Sequence, residues 1–222
     1  NIDNNGQLNG DLIIQGAGDP TLGSPTMPDG VPMAQVLDKF SMALQQKGIR
    51  QINGHIIGDA SYFGTSVNGS SWQWNDLGNY YGAGSWGLNI HDNLYYLRFQ
   101  QSNRLGKTPR IALIEPEIPN LRFTNEVTSA SAGSGDNAYI YGAPYTYERF
   151  VRGTIPVGSR LFSIKGSIPD PPLFATQQLA TRLQNAGIIS TKGATSDRLL
   201  GRPVSGDRQT LLAHQSPFLK EI

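Results

Sequence analysis

The chain has 222 residues, and its 18 basic and 17 acidic side chains leave a formal net charge of only +1 at pH 7, which disfavours nucleic acid and anionic membrane surfaces as partners. It has no cysteine, so disulfides and thiolate chemistry are excluded, and no apolar run approaches the roughly 20 residues that a membrane helix needs. The 26 glycines and 14 prolines predict many turns and short strands. Residue 1 is Asn rather than Met, and we interpret the chain as a segment of a longer polypeptide.

The first predicted elements are a turn, a helix and a strand. The turn at Gly16–Pro20 lacks the lysine and the second glycine pair of a phosphate-binding loop, so we expect Asp19 to bond its own backbone there. The helix begins at Pro32 and ends at Gly48, because proline suits a helix start and glycine accepts the left-handed conformation after the last turn. Its apolar stripe consists of Met33, Val36, Leu37, Phe40 and Leu44. A strand is expected at residues 55–57.

Residues 72–83, the aromatic loop, have an unusual density of aromatic side chains. Their sequence is Trp-Gln-Trp-Asn-Asp-Leu-Gly-Asn-Tyr-Tyr-Gly-Ala. Two Trp and two Tyr around one carboxylate, Asp76, suit a ligand that combines an alkyl chain with a terminal ammonium. The alternative is that these aromatic side chains only hold two domains together.

The segment 84–152 contains no predicted helix. Its β-branched and aromatic runs predict short strands at residues 94–99, 110–114, 121–123, 138–141 and 149–152. Turns rich in Gly, Asn, Ser and Pro separate these runs. We interpret Ser129–Gly135 as a flexible hairpin connection rather than a domain linker.

A second helix-strand unit repeats the pattern of the first. Pro171 corresponds to Pro32 and Gly187 to Gly48, and the glycine follows the proline by sixteen positions in both copies. Two similar helix-strand units that pack in one layer account for this repeat, and no functional role is needed to explain it.

These elements predict the fold class α+β, with an α/β domain of two helix-strand units that is interrupted by a small, mostly antiparallel β domain. The α/β domain is discontinuous and covers residues 1–83 and 153–222. The nested β-rich domain covers residues 84–152.

The sequence contains no convincing catalytic constellation. Ser-x-x-Lys does not occur in it. Ser66–Asn68 matches Ser-x-Asn and Gly106–Pro109 nearly matches Lys-Thr-Gly, but patterns this short arise by chance. The three histidines, His55, His91 and His214, lack the paired spacing of a zinc site, so no metal is predicted.

Several stretches resemble landmarks of one enzyme family in their order and spacing. They are Gly10–Gly23, Gly54–Phe63, the aromatic loop, Lys165–Pro172 and His214–Ile222. The chain resembles the D-alanyl-D-alanine carboxypeptidase/endopeptidase family, the type-4, class C low-molecular-mass penicillin-binding proteins that trim peptidoglycan cross-links. In that family the Ser-x-x-Lys motif lies upstream of such a segment, and Ser-x-Asn and Lys-Thr-Gly lie downstream. The resemblance implies that this chain is the inserted middle of a serine-type hydrolase, without the catalytic domain and without catalytic residues of its own.

The resemblance also implies roles for three residues of the aromatic loop. Asp76 and Tyr81 meet the free amino end of the diaminopimelate side chain in the peptidoglycan stem peptide, and Trp74 forms a wall. The implied partners are that stem peptide and the catalytic domain of the same polypeptide, in the periplasm or cell envelope. Because the family reacts through a serine acyl-enzyme, it implies no metal or organic cofactor.

Two other functions remain open on the sequence. A peptidoglycan or carbohydrate binding module explains the aromatic residues and predicts that the isolated chain binds glycan strands. A purely structural spacer that orients the catalytic domain predicts no ligand. Whether this chain takes part in catalysis at all is left undecided by its sequence.

Overall fold

The computed structural model describes residues 1–27 and 30–217. The chain divides into two compact units, and each is assembled from separate stretches of sequence. Unit 1 contains residues 1–65, 85–92 and 171 onward, and unit 2 contains residues 66–84 and 93–170.

The β-rich unit is larger than the segment 84–152 assigned to it from the sequence. The structure adds residues 66–83 and 153–170 to it and places residues 85–92 in unit 1. Residues 153–170 belong there because they complete one long strand and supply another that the sequence analysis did not include. Residues 66–83 belong there because their backbone is bridged to that added strand.

The elements follow one another in this order. The strands are β1 (Gln7–Leu8), β2 (Leu12–Gln15), β3 (Gln51–Ile52), β4 (Ile56–Asp59), β5 (Leu94–Gln100), β6 (Arg110–Glu115), β7 (Arg122–Ala130), β8 (Asn137–Tyr141), β9 (Glu148–Pro156), β10 (Leu161–Ser167), β11 (Ile189–Ser190) and β12 (Ala194–Ser196). The helices are α1 (Met33–Gln46), α2 (Pro171–Asn185) and α3 (Asp197–Leu200). Among the described residues, no helix has the length and apolar character needed to cross a membrane.

Unit 1 contains two small parallel sheets, β1-β3-β11 and β2-β4-β12, together with α1 and α2. Each long helix is followed by a glycine in the left-handed region, with φ 72° at Gly48 and 81° at Gly187. Both helices pack into one apolar core, whose buried members are Leu12, Leu37, Leu44, Ile49, Ile52, Ile56, Leu179, Leu183 and Ile188. The two predicted helix-strand units are therefore confirmed, and they share a single core.

Unit 2 contains two three-stranded sheets. In the first, β5 lies between β10 and β6, and both pairs are antiparallel. In the second, β9 lies between β7 and β8 and pairs in parallel with β7 and antiparallel with β8. The unit is therefore mostly antiparallel, and the predicted α+β class is confirmed.

The predicted role of Ser129–Gly135 as a hairpin connection is wrong. Strands β7 and β8, which flank it, are not neighbours, because β9 lies between them. Ser129 belongs to β7, where it is only 4% exposed, and its hydroxyl donates to the Lys107 carbonyl at 2.8 Å. The glycines and serines mark a turn correctly, but the turn joins the two outer strands of a sheet.

Candidate ligand site in the aromatic loop

The aromatic loop belongs to unit 2 and is folded into consecutive tight turns. The Asp76 N–H donates to the Gln73 carbonyl at 3.0 Å, and the Asp76 carbonyl accepts from the Asn79 N–H at 2.9 Å. The Asn79 carbonyl accepts in turn from the Gly82 N–H at 2.9 Å. A Cβ at Gly82 would lie 2.2 Å from the Asp76 carbonyl oxygen, so only glycine permits this approach. The turns therefore bring the residue before Gly82, Tyr81, back towards Asp76.

Asp76 and Tyr81 interact electrostatically. Partial burial raises the pKa of Tyr81 above its ordinary value of 10.0, and the negative charge of Asp76 is the second contribution. The Tyr81 hydroxyl is therefore protonated at neutral pH and can donate a hydrogen bond. Within residues 1–27 and 30–217, no hydrogen bond or ion pair to the Asp76 carboxylate is formed.

The other aromatic residues of the loop present open surface. Trp74 is 56% exposed and Tyr81 is 51% exposed, so Trp74 is the less enclosed of the two. Tyr80 packs edge-on against Tyr81 with ring centroids 5.3 Å apart, and Lys165 Nζ lies 5.1 Å from the centre of the Tyr80 ring. The structure thus folds Tyr81 back towards Asp76, and Trp74 of the same loop is exposed.

Two residues of unit 2 join this cluster although the sequence did not connect them with the loop. Tyr139 and Asp136 both contribute to the raised pKa of Tyr81. Burial also raises the pKa of the Asp136 carboxyl itself, although the residue as a whole is largely solvent-exposed. The alternation along β8, with Ala138 and Ile140 buried and Tyr139 exposed, predicts an outward tyrosine but not the loop that it faces.

The arrangement suits recognition of a cation. A carboxylate beside tyrosine rings attracts an ammonium group by Coulomb attraction and by contact with the aromatic faces. Such a partly desolvated contact contributes about 1–3 kcal/mol. The part of the chain that the structure describes holds no group of three His, Cys, Asp or Glu side chains with the spacing of a metal site.

The short motif matches of the sequence have structural contacts of their own. The Asn68 side-chain amide donates to the Gly82 carbonyl at 3.2 Å and closes the aromatic loop at its base. The Lys107 carbonyl accepts from the Ser129 N–H at 3.0 Å, which fastens this stretch to β7.

The fold is shared with penicillin-binding proteins of known structure. Penicillin-binding protein 4 (dacB) from Haemophilus influenzae superposes with a TM-score of 0.73 and 23% sequence identity, over 97% of this chain and 44% of that chain. A structure of the same protein with a β-lactam gives a TM-score of 0.56 and 19% identity, over 85% of this chain and 36% of that chain.

Sequence comparison identifies the family. Residues 2–222 match the D-Ala-D-Ala carboxypeptidase 3 (S13) family, and the chain belongs to this family. The D-alanyl-D-alanine carboxypeptidase DacB of Haemophilus influenzae is 23% identical over 185 residues, which cover 83% of this chain and 36% of that protein. The chain therefore spans little more than a third of the length of this curated relative.

Proposed function

We propose that this chain is the non-catalytic inserted segment of a periplasmic, serine-type D-Ala-D-Ala carboxypeptidase/endopeptidase that acts on peptidoglycan stem peptides. The family match and the partial coverage of the longer relative support this assignment. The absence of Ser-x-x-Lys from the sequence supports a nucleophile elsewhere in the polypeptide. In this proposal the segment helps to shape the substrate cleft of the whole enzyme.

The aromatic loop is the proposed point of contact with the substrate. Asp76 and Tyr81 recognise the amino-bearing end of the stem-peptide side chain, and Trp74 covers its alkyl part. The observation that carries this proposal is the close approach of Gly82 to the Asp76 carbonyl, which folds the half-exposed Tyr81 back towards Asp76. The effect of the Asp76 charge in raising the pKa of Tyr81 supports it. A carboxylate with no cationic partner among the described residues is suited to accept an ammonium group from a ligand.

The test uses the full-length enzyme with Asp76→Asn and two stem peptides that differ only in whether the side-chain amine is free or acetylated. For the free amine, kcat/KM is expected to fall roughly ten- to hundredfold, because each 1.4 kcal/mol corresponds to a factor of ten. The acetylated peptide and the acylation rate by a simple β-lactam are expected to change little. An equal fall for all three reactions would mean that Asp76 supports the fold of the loop, and no fall would remove Asp76 from recognition.

A second candidate function is binding of glycan strands. It is favoured by the exposure of Trp72 and Trp74, at 44% and 56%, since flat aromatic faces suit sugar rings. Titration of the chain with peptide-free glycan strands, followed through tryptophan fluorescence, separates this function from amine recognition. Binding that survives Asp76→Asn and is lost in Trp74→Ala would favour the glycan module. A purely structural spacer predicts no response to either ligand.

A further inference from the structure

We propose that Asn79 is a positioning residue, whose buried amide pairs with the free side of β8 and thereby holds Asp76 and Tyr81 in their binding arrangement. This inference rests on the proposed function of the aromatic loop. In this inference Asn79 does not contact the ligand. It acts by holding the backbone of the aromatic loop against β8.

The Asn79 side chain makes the contact that a neighbouring strand normally makes. It is 4% exposed. Its Oδ1 accepts from the Ile140 N–H at 3.0 Å, and its Nδ2 donates to the Ile140 carbonyl at 3.2 Å. Strand β8 is an outer strand that pairs with β9 on its other side. A single amide therefore satisfies both backbone groups of Ile140 on the side of β8 that faces away from β9.

Asn79 also bonds to the backbone next to both Asp76 and Tyr81. Its Nδ2 also donates to the Asn75 carbonyl at 2.8 Å, one residue before Asp76. Its backbone N–H donates to the Asp76 carbonyl, and its carbonyl accepts from Gly82, the residue after Tyr81. Moving Asn79 therefore moves both proposed recognition residues.

The other side of the loop is fastened to β10. Asn79 forms an antiparallel bridge with Gly166, and the Gly78 carbonyl accepts from the Ser167 N–H at 3.0 Å. The Ser167 hydroxyl donates to the Leu77 carbonyl at 2.7 Å. Buried Arg149 donates to the Ser167 carbonyl at 2.6 Å and reaches the Gly78 carbonyl at 3.5 Å. These bonds hold one side of the aromatic loop against β10, and the Asn79 amide holds the other side against β8.

This fixation matters because the aromatic side chains of the loop bury too little apolar surface to hold the loop in place. Tyr80, Tyr81 and Trp74 are each about half exposed. A loop ordered in advance binds more tightly than one that must be ordered by its ligand, and small misplacements weaken a charge contact strongly.

The experiment compares Asn79→Ala with a matched control, Asn89→Ala, in the full-length enzyme. Asn89 is a buried asparagine of unit 1 that also binds backbone groups on both sides, with Nδ2 donating to the Trp86 carbonyl at 2.9 Å and the Asp19 carbonyl at 3.1 Å. Both variants are expected to lower the Tm. Only Asn79→Ala is expected to raise KM for the free-amine stem peptide, by about tenfold, while kcat and the acetylated peptide are unaffected.

Two further variants keep the test decisive. Asn79→Ser loses all three hydrogen bonds of the amide but keeps an uncharged hydroxyl in the buried position, so it is expected to raise KM about as much as Asn79→Ala and serves if that variant fails to fold. In the double variant Asn79→Ala/Asp76→Asn, the effects on KM are expected to be far less than multiplicative, because both substitutions remove one interaction. Independent, multiplicative effects would overturn the positioning role.

A readout that does not depend on substrate separates this inference from the proposed function. The pKa of Tyr81, followed through its ¹³Cζ NMR signal, is expected to fall towards 10.0 in Asn79→Ala and to stay raised in Asn89→Ala. An unchanged Tyr81 titration together with an unchanged KM would overturn the positioning role, even if Asp76→Asn lowers amine selectivity. A lowered pKa with no effect of Asp76→Asn on selectivity would keep the positioning role and overturn the function.

Discussion

Asp19 and His214 lie 3.8 Å apart, measured from the carboxylate Oδ2 to the imidazole Nε2, although they stand near opposite ends of the chain. Asp19 belongs to the turn after β2, and His214 opens the closing stretch of the sequence. The other carboxylate oxygen of Asp19 accepts from the Thr21 N–H at 2.8 Å and the Thr21 hydroxyl at 2.7 Å, as the predicted self-bonded turn requires. Gly10–Gly23 and His214–Ile222, two of the stretches that resemble the family, therefore contact each other in unit 1. Residues 218–222 lie outside the described residues.

The contact between Asp19 and His214 is expected to stabilise unit 1 only slightly. Both side chains keep about a quarter of their surface exposed, and exposed pairs contribute about 0.2–1 kcal/mol. A double-mutant cycle of Asp19→Asn and His214→Ala in urea melts measures this coupling. The single variant Asp19→Ala is expected to cost more, because it also removes the two bonds to Thr21. A coupling above 2 kcal/mol would contradict this assessment.

Removal of Arg208 is expected to destabilise unit 1 by about 1–3 kcal/mol, which is unusual for an arginine whose side chain is 33% exposed. Its partner Asp59 is 2% exposed, and Arg208 Nη1 approaches the Asp59 carboxylate at 3.2 Å. Arg208→Ala leaves that buried carboxylate with the Ser61 hydroxyl at 2.6 Å as its side-chain donor. The further substitution Asp59→Asn is expected to recover part of the loss in denaturant melts. No recovery would show that Arg208 acts through packing rather than charge.

Gly78→Ala is expected to destabilise unit 2 strongly, by more than about 2 kcal/mol, since no room exists for a side chain. A Cβ at this position would lie 2.1 Å from the Ile140 carbonyl oxygen. Gly64 is the matched control, because a Cβ there meets nothing within 4 Å. Gly64→Ala is expected to be neutral or slightly stabilising in thermal melts. Equal effects of the two substitutions would contradict the close packing of the loop on β8.

Asp136→Asn is expected to raise the Tm at pH 7 and to leave it unchanged near pH 3. Burial raises the folded-state pKa of Asp136, so its ionised form is disfavoured in the folded protein. The stability linked to its proton is present below the unfolded-state pKa and is lost as the pH rises through the raised folded-state pKa. A Tm difference that grows towards acid pH would have the wrong sign for a raised pKa.

Incubation of the 222-residue chain with a fluorescent penicillin is expected to leave it unlabelled. The chain has no Ser-x-x-Lys pair, so no serine hydroxyl has the lysine that activates the family's nucleophile. Under the proposed function, the longer protein that carries Ser-x-x-Lys is labelled and serves as the positive control. A covalent band that disappears with substitution of any serine in this chain would contradict the assignment of a non-catalytic segment.

The sequence predicted the individual helices and turns better than it predicted which strands pair with each other. Pro32 and Gly48, and their counterparts in the second copy, mark helix boundaries through conformational preferences that act within a few residues. The position of β9 between β7 and β8 depends instead on pairing between distant strands, for which the turn at Ser129–Gly135 carries no signal. Strand β10 was missed because glycine and lysine interrupt its apolar pattern.

The same distinction applies to the candidate site. The resemblance and the aromatic density predicted Asp76 and Tyr81, which lie five positions apart. Asp136 and Tyr139 were not predicted, because they reach the cluster through a different strand. Asn79 was not predicted either, since its role depends on the free side of β8, which exists only after the sheet has formed.

The division of unit 2 into two stretches has a consequence for any attempt to isolate it. The chain leaves unit 2 after residue 84 and re-enters it at residue 93, so a polypeptide of residues 93–170 alone lacks the loop that covers β8. Ile140 would then present an unpaired N–H and carbonyl on an outer strand, which is a template for pairing with other molecules. Such a fragment is therefore prone to aggregate, and joining residues 66–84 to its start through a flexible linker restores the missing cover.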